Sequence, residues 1–156
     1  MKFIADAMCG KLARWLRIVG YDVRYDASLD DDDLVEIALE EDRVLLTRDA
    51  KMLLRRDLPP HLLIVSDDWK EQLAQVVQHF GLDTVSYRFS RCVDCNEPLI
   101  PIGKAEVQYR VPSYIFDAHD TFYTCPQCRK VFWVGSHIER GRKVLDSLFT
   151  AEAAGN

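Results

Sequence analysis

The chain has 156 residues and a formal net charge of −5. That length suits one ordinary domain or a domain with a small appendage, and the acidic balance argues against indiscriminate binding of polyanions. Apolar residues make up 48% and charged residues 29%, as in a soluble globular protein. No apolar run is long enough for a bilayer, and the start MKFIADAMCGK lacks the pattern of a secretory signal. No membrane association and a reducing, cytoplasmic setting are therefore expected.

In chain order, KFIAD (2–6) reads as a first strand. A helix follows, with Leu12, Trp15, Leu16 and Val19 spaced i, i+3, i+4, i+7 along one face, and Gly20 ends it. YDVRY (21–25) alternates as a second strand. The run Asp30–Asp33 opens a helix that turns Leu34, Ile37 and Ala38 inward, and RVLLT (43–47) is the third strand. A short helix is expected over 52–56, stopped by Pro59 and Pro60, and HLLIVS (61–66) is the fourth strand. Trp69, Leu73, Val76, Val77 and Phe80 mark a further amphipathic helix closed by Gly81. Strands alternating with helices predict an α/β fold, a mostly parallel sheet flanked by helices on both faces.

The rhythm changes near Ser90. Cysteine pairs, prolines and short alternating runs follow: AEVQYRV (105–111), DTFYT (120–124) and KVFWV (130–134). Ser136 and Glu139 match a capping box that starts a last helix, with Ile138, Leu145, Leu148 and Phe149 on its apolar side. The tail AEAAGN is expected to fray. The boundary is placed at 88–91, giving domains 1–88 and 89–150. The acidic excess lies wholly in the first part: residues 1–88 hold 17 acids and 12 bases, whereas 89–156 hold 8 of each.

Four of the five cysteines form two C-x-x-C pairs, Cys92/Cys95 and Cys125/Cys128, separated by 29 residues. Four thiolates complete a tetrahedral Zn²⁺ shell and leave no open position, so the expected site is a structural zinc ribbon with an all-cysteine ligand set. Around it, Arg91, Arg110, Arg129 and Lys130, with Tyr109, Tyr123, Phe132 and Trp133, offer basic and stacking contacts to single-stranded nucleic acid; the plainer alternative is that these aromatics fill a small core.

In the first part, three apolar strands each deliver a carboxylate at the carboxyl end: Asp6, Asp49, and Asp67 or Asp68. Ligands of open parallel sheets bind beyond that edge. Taken singly, such an acid is more often the N-cap of the next helix, and Asp30–Asp33 can simply complement a helix dipole. Their joint occurrence points instead to a hard divalent ion, Mg²⁺ or Mn²⁺, held among carboxylates. A site of that kind suits attack on a phosphodiester. Lys11 and Arg14, with Arg17 as a further option, lie off the apolar face of the first helix and are candidates to hold substrate phosphates. Thr47 and Arg48 are placed to orient Asp49 or the scissile group. Cys9 reads as a small buried hydrophobe, since nothing nearby supplies a partner base.

The stretches FIADAMCGKLARWLRIVGYD, DDDDLVEIALEEDRVLLTRD and RCVDCNEPL…CPQCRKVFWVGSH resemble the Mut-seven C-terminal RNase family across about residues 2–148. The resemblance implies a PIN-like nuclease domain joined to a C-terminal zinc ribbon, and a metal-dependent ribonuclease acting on RNA. By position it makes Asp6 the acid of the first strand, Asp31 or Asp32 the acid before the second helix, and Asp49 the acid of the T-R-D motif. Asp67 or Asp68 stands where no separate glutamate supplies a fourth acid, and the four paired cysteines are the zinc ligands. Two other functions remain in play: a non-catalytic nucleic-acid- or protein-binding adaptor whose acids are only caps, and a phosphoacceptor domain with Asp49 receiving phosphate. The sequence sets no oligomeric state, and it neither requires nor excludes an inhibitory protein partner.

Overall fold

The computed structural model describes residues 1–153, with side chains described through Thr150. Two compact units divide the chain, Met1–Arg88 and the remainder from Phe89.

The first unit is built on four parallel strands, β1 (Lys2–Ala5), β2 (Asp22–Tyr25), β3 (Val44–Thr47) and β4 (His61–Leu63), in the order β2-β1-β3-β4. Helices α1 (Gly10–Val19) and α2 (Asp31–Glu40) make the crossovers from β1 to β2 and from β2 to β3, and α3 (Trp69–Phe80) follows β4. The pleat of β1 divides the core. Ile4 joins Leu34, Val35, Ala38, Leu45 and Met52 on the α2 side, whereas the Phe3 ring meets Phe80 of α3 edge-on at 5.4 Å. Leu12, Leu16 and Val19 of α1 are fully buried, each worth about 1.5–3 kcal/mol by transfer from water. Gly20 adopts φ +115° and returns its N–H to Arg17 O and Leu16 O, closing α1 as expected. Stacked indoles of Trp15 and Trp69, 4.4 Å apart, join α1 to α3.

Three expectations for this unit are revised. The fourth strand stops at Leu63 rather than Ser66, because helix side chains replace the ladder along this sheet edge. Gln75 Nε2 donates to Leu63 O at 2.8 Å, its Oε1 accepts from Val65 N–H at 3.2 Å, and Gln72 Nε2 donates to Ser66 O at 2.8 Å. The short helix before the prolines is a 3-10 segment, Ala50–Leu54, set earlier because Asp49 accepts from Lys51 N–H and so caps it. Arg17 is 8% exposed and its Nε donates to Val23 O at 2.9 Å. It braces α1 against β2 and presents no surface cation.

The second unit holds a three-stranded antiparallel sheet of β5 (Ile100–Ile102), β6 (Phe122–Thr124) and β7 (Val131–Phe132), with α4 (Lys104–Val107), α5 (Ser113–Ala118) and α6 (Ser136–Ala153). The expected strands at 120–124 and 130–134 are β6 and β7. The alternating run 105–111 is not a strand: Val107 is buried but Tyr109 is 92% exposed. Tyr109 stays out while Val107 packs inward, and the segment closes a helical turn in which Arg110 N–H donates to Val107 O. The last helix runs through Ala153, so only 154–156 of the tail expected to fray lie outside the described residues. Its first bond runs from Glu139 N–H to Gly135 O. Gly135 therefore occupies the cap position and Ser136 is the first helical residue, which displaces the capping box expected at Ser136.

Candidate functional site

At the carboxyl edge of the parallel sheet the chain turns sharply twice. Asp6 extends β1, its N–H bonded to Leu46 O at 3.0 Å. It is 7% exposed, and its side chain accepts three hydrogen bonds. Met8 N–H donates to Oδ1 at 2.9 Å, and Thr47 Oγ1 and Arg48 N–H donate to Oδ2 at 2.6 and 2.8 Å. Fully buried Thr47 also accepts from Asp49 N–H at 3.0 Å. One hydroxyl thus ties the acid of β1 to the acid that follows β3. Asp49 Oδ1 accepts from Lys51 N–H at 2.9 Å.

The aspartate run has divided duties. Asp30 is the N-cap of α2 and forms a reciprocal capping box with Asp33. Asp32 pairs with Arg55 at 2.8 Å, and Asp31 is exposed in the first turn. Asp67 is exposed after β4, and Asp68 caps α3 by accepting from Lys70 N–H. Thr47 therefore links the Asp6 carboxylate to the main chain of Asp49. Among the described residues, no hydrogen bond or ion pair joins Asp31, Asp32 or Asp67 to that pair.

Cys9 is buried as expected. Burial pushes its thiol well up, and the neighbouring Asp6 carboxylate pushes it further, so the sulfur stays protonated and unreactive. Arg48 Nε is buried without a hydrogen-bond partner. The Lys11 ammonium lies 5.3 Å from the centre of the Trp69 ring, with Lys70 at 5.8 Å, and Arg14 is exposed on α1. The sequence reading missed the roles of Trp69 and of buried Gln72. For Trp69 the available signal was its place directly after an N-cap aspartate.

In the second unit, the sulfurs of Cys92, Cys95, Cys125 and Cys128 all lie within 4.8 Å of one another, Cys92 and Cys128 at 3.9 Å. Zn–S bonds of about 2.3 Å in a tetrahedron imply S···S separations of about 3.8 Å, so the donor set fits the ion. Both pairs share one backbone device. Cys92 N–H donates to Glu97 O and Asn96 N–H to Cys92 O; likewise Cys125 N–H donates to Lys130 O and Arg129 N–H to Cys125 O. Asn96 and Arg129 adopt left-handed φ of 65° and 62°, and their carbonyls accept from Arg91 and Arg110 respectively. These two arginines, read as candidate RNA contacts, thus hold the knuckles closed. Lys130 pairs with Asp94 at 2.6 Å. Burial raises the Cys92 thiol, and burial with a hydrogen bond to Cys128 pushes Cys95 up to about 12. A bound cation reverses that logic by stabilising thiolates. Among the described residues, no set of three carboxylates is gathered in this way.

A parallel sheet flanked by helices, acids at its carboxyl edge and a cluster of four cysteines that could hold zinc define a small α/β protein with a cysteine-clipped appendage. The family model described as the Mut7-C RNAse domain matches residues 1–145, and the chain belongs to that family. No curated protein matches the chain, and no solved structure does.

Proposed function

We propose that the protein is a Mg²⁺- or Mn²⁺-dependent ribonuclease that hydrolyses RNA phosphodiester bonds to leave 5′-phosphates, with a structural zinc ribbon assisting stability or RNA binding. The observation that carries this reading is the Thr47 bridge, which ties the Asp6 carboxylate to the main chain of Asp49 at the edge where ligands of parallel sheets bind. Hard oxygen donors on Asp6 and Asp49 suit such an ion. Capping occupies Oδ1 of Asp49, so that the carboxylate is fixed while its other oxygen stays available. Asp31, Asp32 and Asp67 are the further acids that could supplement the pair, Asp32 only on giving up its ion pair with Arg55. When bound, the ion supplies a lowered water pKa and compensates charge on the leaving oxygen. The chain's own residues fix the geometry. Thr47 and the Arg48 amide orient Asp6, and Lys11, Arg14 and Arg48 hold substrate phosphates. Family membership supports RNA as the substrate.

The test is cleavage of single-stranded or structured RNA with added Mn²⁺, compared with Asp49→Asn. Cleavage lost in that variant, with its unfolding transition intact, supports the assignment; undiminished cleavage refutes it. The adaptor reading gains from the same structure, because Asp6, Asp30, Asp49 and Asp68 all serve as caps. It predicts RNA binding indifferent to Mn²⁺ and no product after long incubation.

A further inference from the structure

The second unit carries a cleft of about 530 Å³ lined by Tyr114, His119, Phe132, Trp133 and His137, among others. That is the size range of small-ligand sites. Its position follows from the turn after β7. Gly135 N–H folds back onto Trp133 O at 3.1 Å, and α6 starts at once, so the indole and the first turn of α6 share one wall. A side chain at 135 would press on Trp133 Nε1 at 3.0 Å. Trp133 is steadied by the edge of Phe122 and by His119, each ring centre 6.5 Å away. Tyr114 is 70% exposed, so its ring does little for the core and stands as an open aromatic wall. Arg140 Nη2 lies 3.4 Å from His137 Nδ1.

The groups at the cleft select the occupant. Arg140 stands beside His137 at its edge, and none of the residues that line it is acidic. Aromatic walls, imidazoles and a neighbouring guanidinium match an unpaired nucleobase with a flanking phosphate. A purely apolar peptide side chain would use neither the imidazoles nor the charge.

We infer that this cleft is a nucleobase subsite for single-stranded RNA, stacking one unpaired base against Tyr114 and Trp133 with a flanking phosphate at Arg140. The inference rests on RNA being the substrate, and it assigns to the second unit the grip on the strand. It is independent of whether the acids of the first unit cut.

The experiment uses the full-length, zinc-loaded protein without added Mg²⁺ or Mn²⁺ and reads two quantities: the Kd of a fluorescent single-stranded RNA, and the peptides crosslinked on irradiation of the same strand carrying 4-thiouridine. Tyr114→Ala is expected to raise Kd about 10-fold, and Tyr114→Phe to keep it within about 2-fold, with zinc content unchanged in both. Crosslinks are expected on the peptides bearing Tyr114, His119 or Trp133. An unchanged Kd in Tyr114→Ala, crosslinks confined to other segments, or a folded wild-type protein that binds no single-stranded RNA, including one whose cleft takes a peptide instead, each overturns the inference. Crosslinks in the cleft without Mn²⁺-dependent cleavage keep the subsite and sink the nuclease; cleavage without such crosslinks does the reverse.

Discussion

Replacing Thr47 by Val removes one oxygen at nearly constant volume, and that oxygen serves two partners. It donates to Asp6 Oδ2 at 2.6 Å and accepts from Asp49 N–H at 3.0 Å. The site is fully buried, so solvent does not replace either bond. Hydrogen bonds to charged groups contribute about 1.5–3 kcal/mol and neutral ones about 0.5–1.5. Thr47→Val should therefore destabilise the first unit by about 2–4 kcal/mol. With a urea dependence near 2 kcal/mol per molar, the unfolding midpoint falls by about 1–2 M. Thr47→Ser keeps the hydroxyl and loses a methyl, at a cost of about 1 kcal/mol, so the pair separates hydrogen bonding from packing. The stacked indoles of Trp15 and Trp69 give this unit its own spectroscopic signal. On the proposed mechanism, Mn²⁺-dependent cleavage by Thr47→Val falls on the order of 100-fold, because Asp49 loses the restraint on its main chain, whereas Thr47→Ser stays near wild type. A valine variant within about 0.5 kcal/mol of wild type, or a serine variant as damaged as the valine one, would refute the reasoning.

Removing zinc with a chelator, or replacing Cys125 by Ser, should abolish the near-UV dichroism of the second unit while the helical signal of the first persists. Metal content should be one zinc per chain and should fall on acidification, since binding requires thiolates; an intact near-UV spectrum in zinc-free protein would count against this. Two glycines give a contrasting pair. In Gly20→Ala, φ of +115° and a Cβ only 2.4 Å from Tyr87 O should cost about 3 kcal/mol or more. Gly81→Ala, at φ +62° with open space around it, should cost about 1–2 kcal/mol. Equal urea midpoints for the two variants would show that the close approach to Tyr87 carries no weight.

The first unit was largely legible because each of its signals is local and redundant. Leu12, Leu16 and Val19 repeat at helical spacing, Gly20 and Gly81 end their helices in left-handed conformations, and Asp30 begins α2 with a capping box. The errors fell where a tertiary contact overrides a local pattern. Residues 64–66 looked like strand, but beyond Ile64 N–H, which still donates to Thr47 O, the main-chain bonds go to Gln72 and Gln75. Arg17 looked like a surface cation until Val23 O claimed its Nε. In the second unit, alternation at 105–111 misled because a three-stranded sheet this small has no second face there to cover Tyr109. The cysteine spacing foretold the clip, but not the arginines that close each knuckle, since Arg110 lies 19 residues before the carbonyl it binds. At the acidic edge, the sequence gathered more aspartates than the fold ties together. Position along a strand sets which edge a carboxylate reaches, but not whether a neighbour such as Arg55 claims it first.

Capping and catalysis are not competing explanations of Asp6 and Asp49. A cap uses a carboxylate oxygen to accept a main-chain N–H, which fixes the side chain's rotamer as well as the turn. A functional carboxylate needs that same immobility, because a group free to rotate loses much of its effective concentration toward a reacting atom. At Asp49, one oxygen is held by Lys51 N–H and the backbone by Thr47, which leaves the second oxygen aimed but unspent. Asp6 differs. Its three hydrogen bonds and burial leave it little spare capacity, so on the proposed mechanism its part is to anchor a negative charge at a defined place, with Asp49 the more adaptable ligand. The two should therefore respond differently to amide substitution. Asp6→Asn places an NH₂ group against donors that expect an acceptor, and so loses stability together with activity. Asp49→Asn keeps Oδ1 as the cap and loses charge alone, which makes Asp49 the sharper probe of the chemistry at this edge.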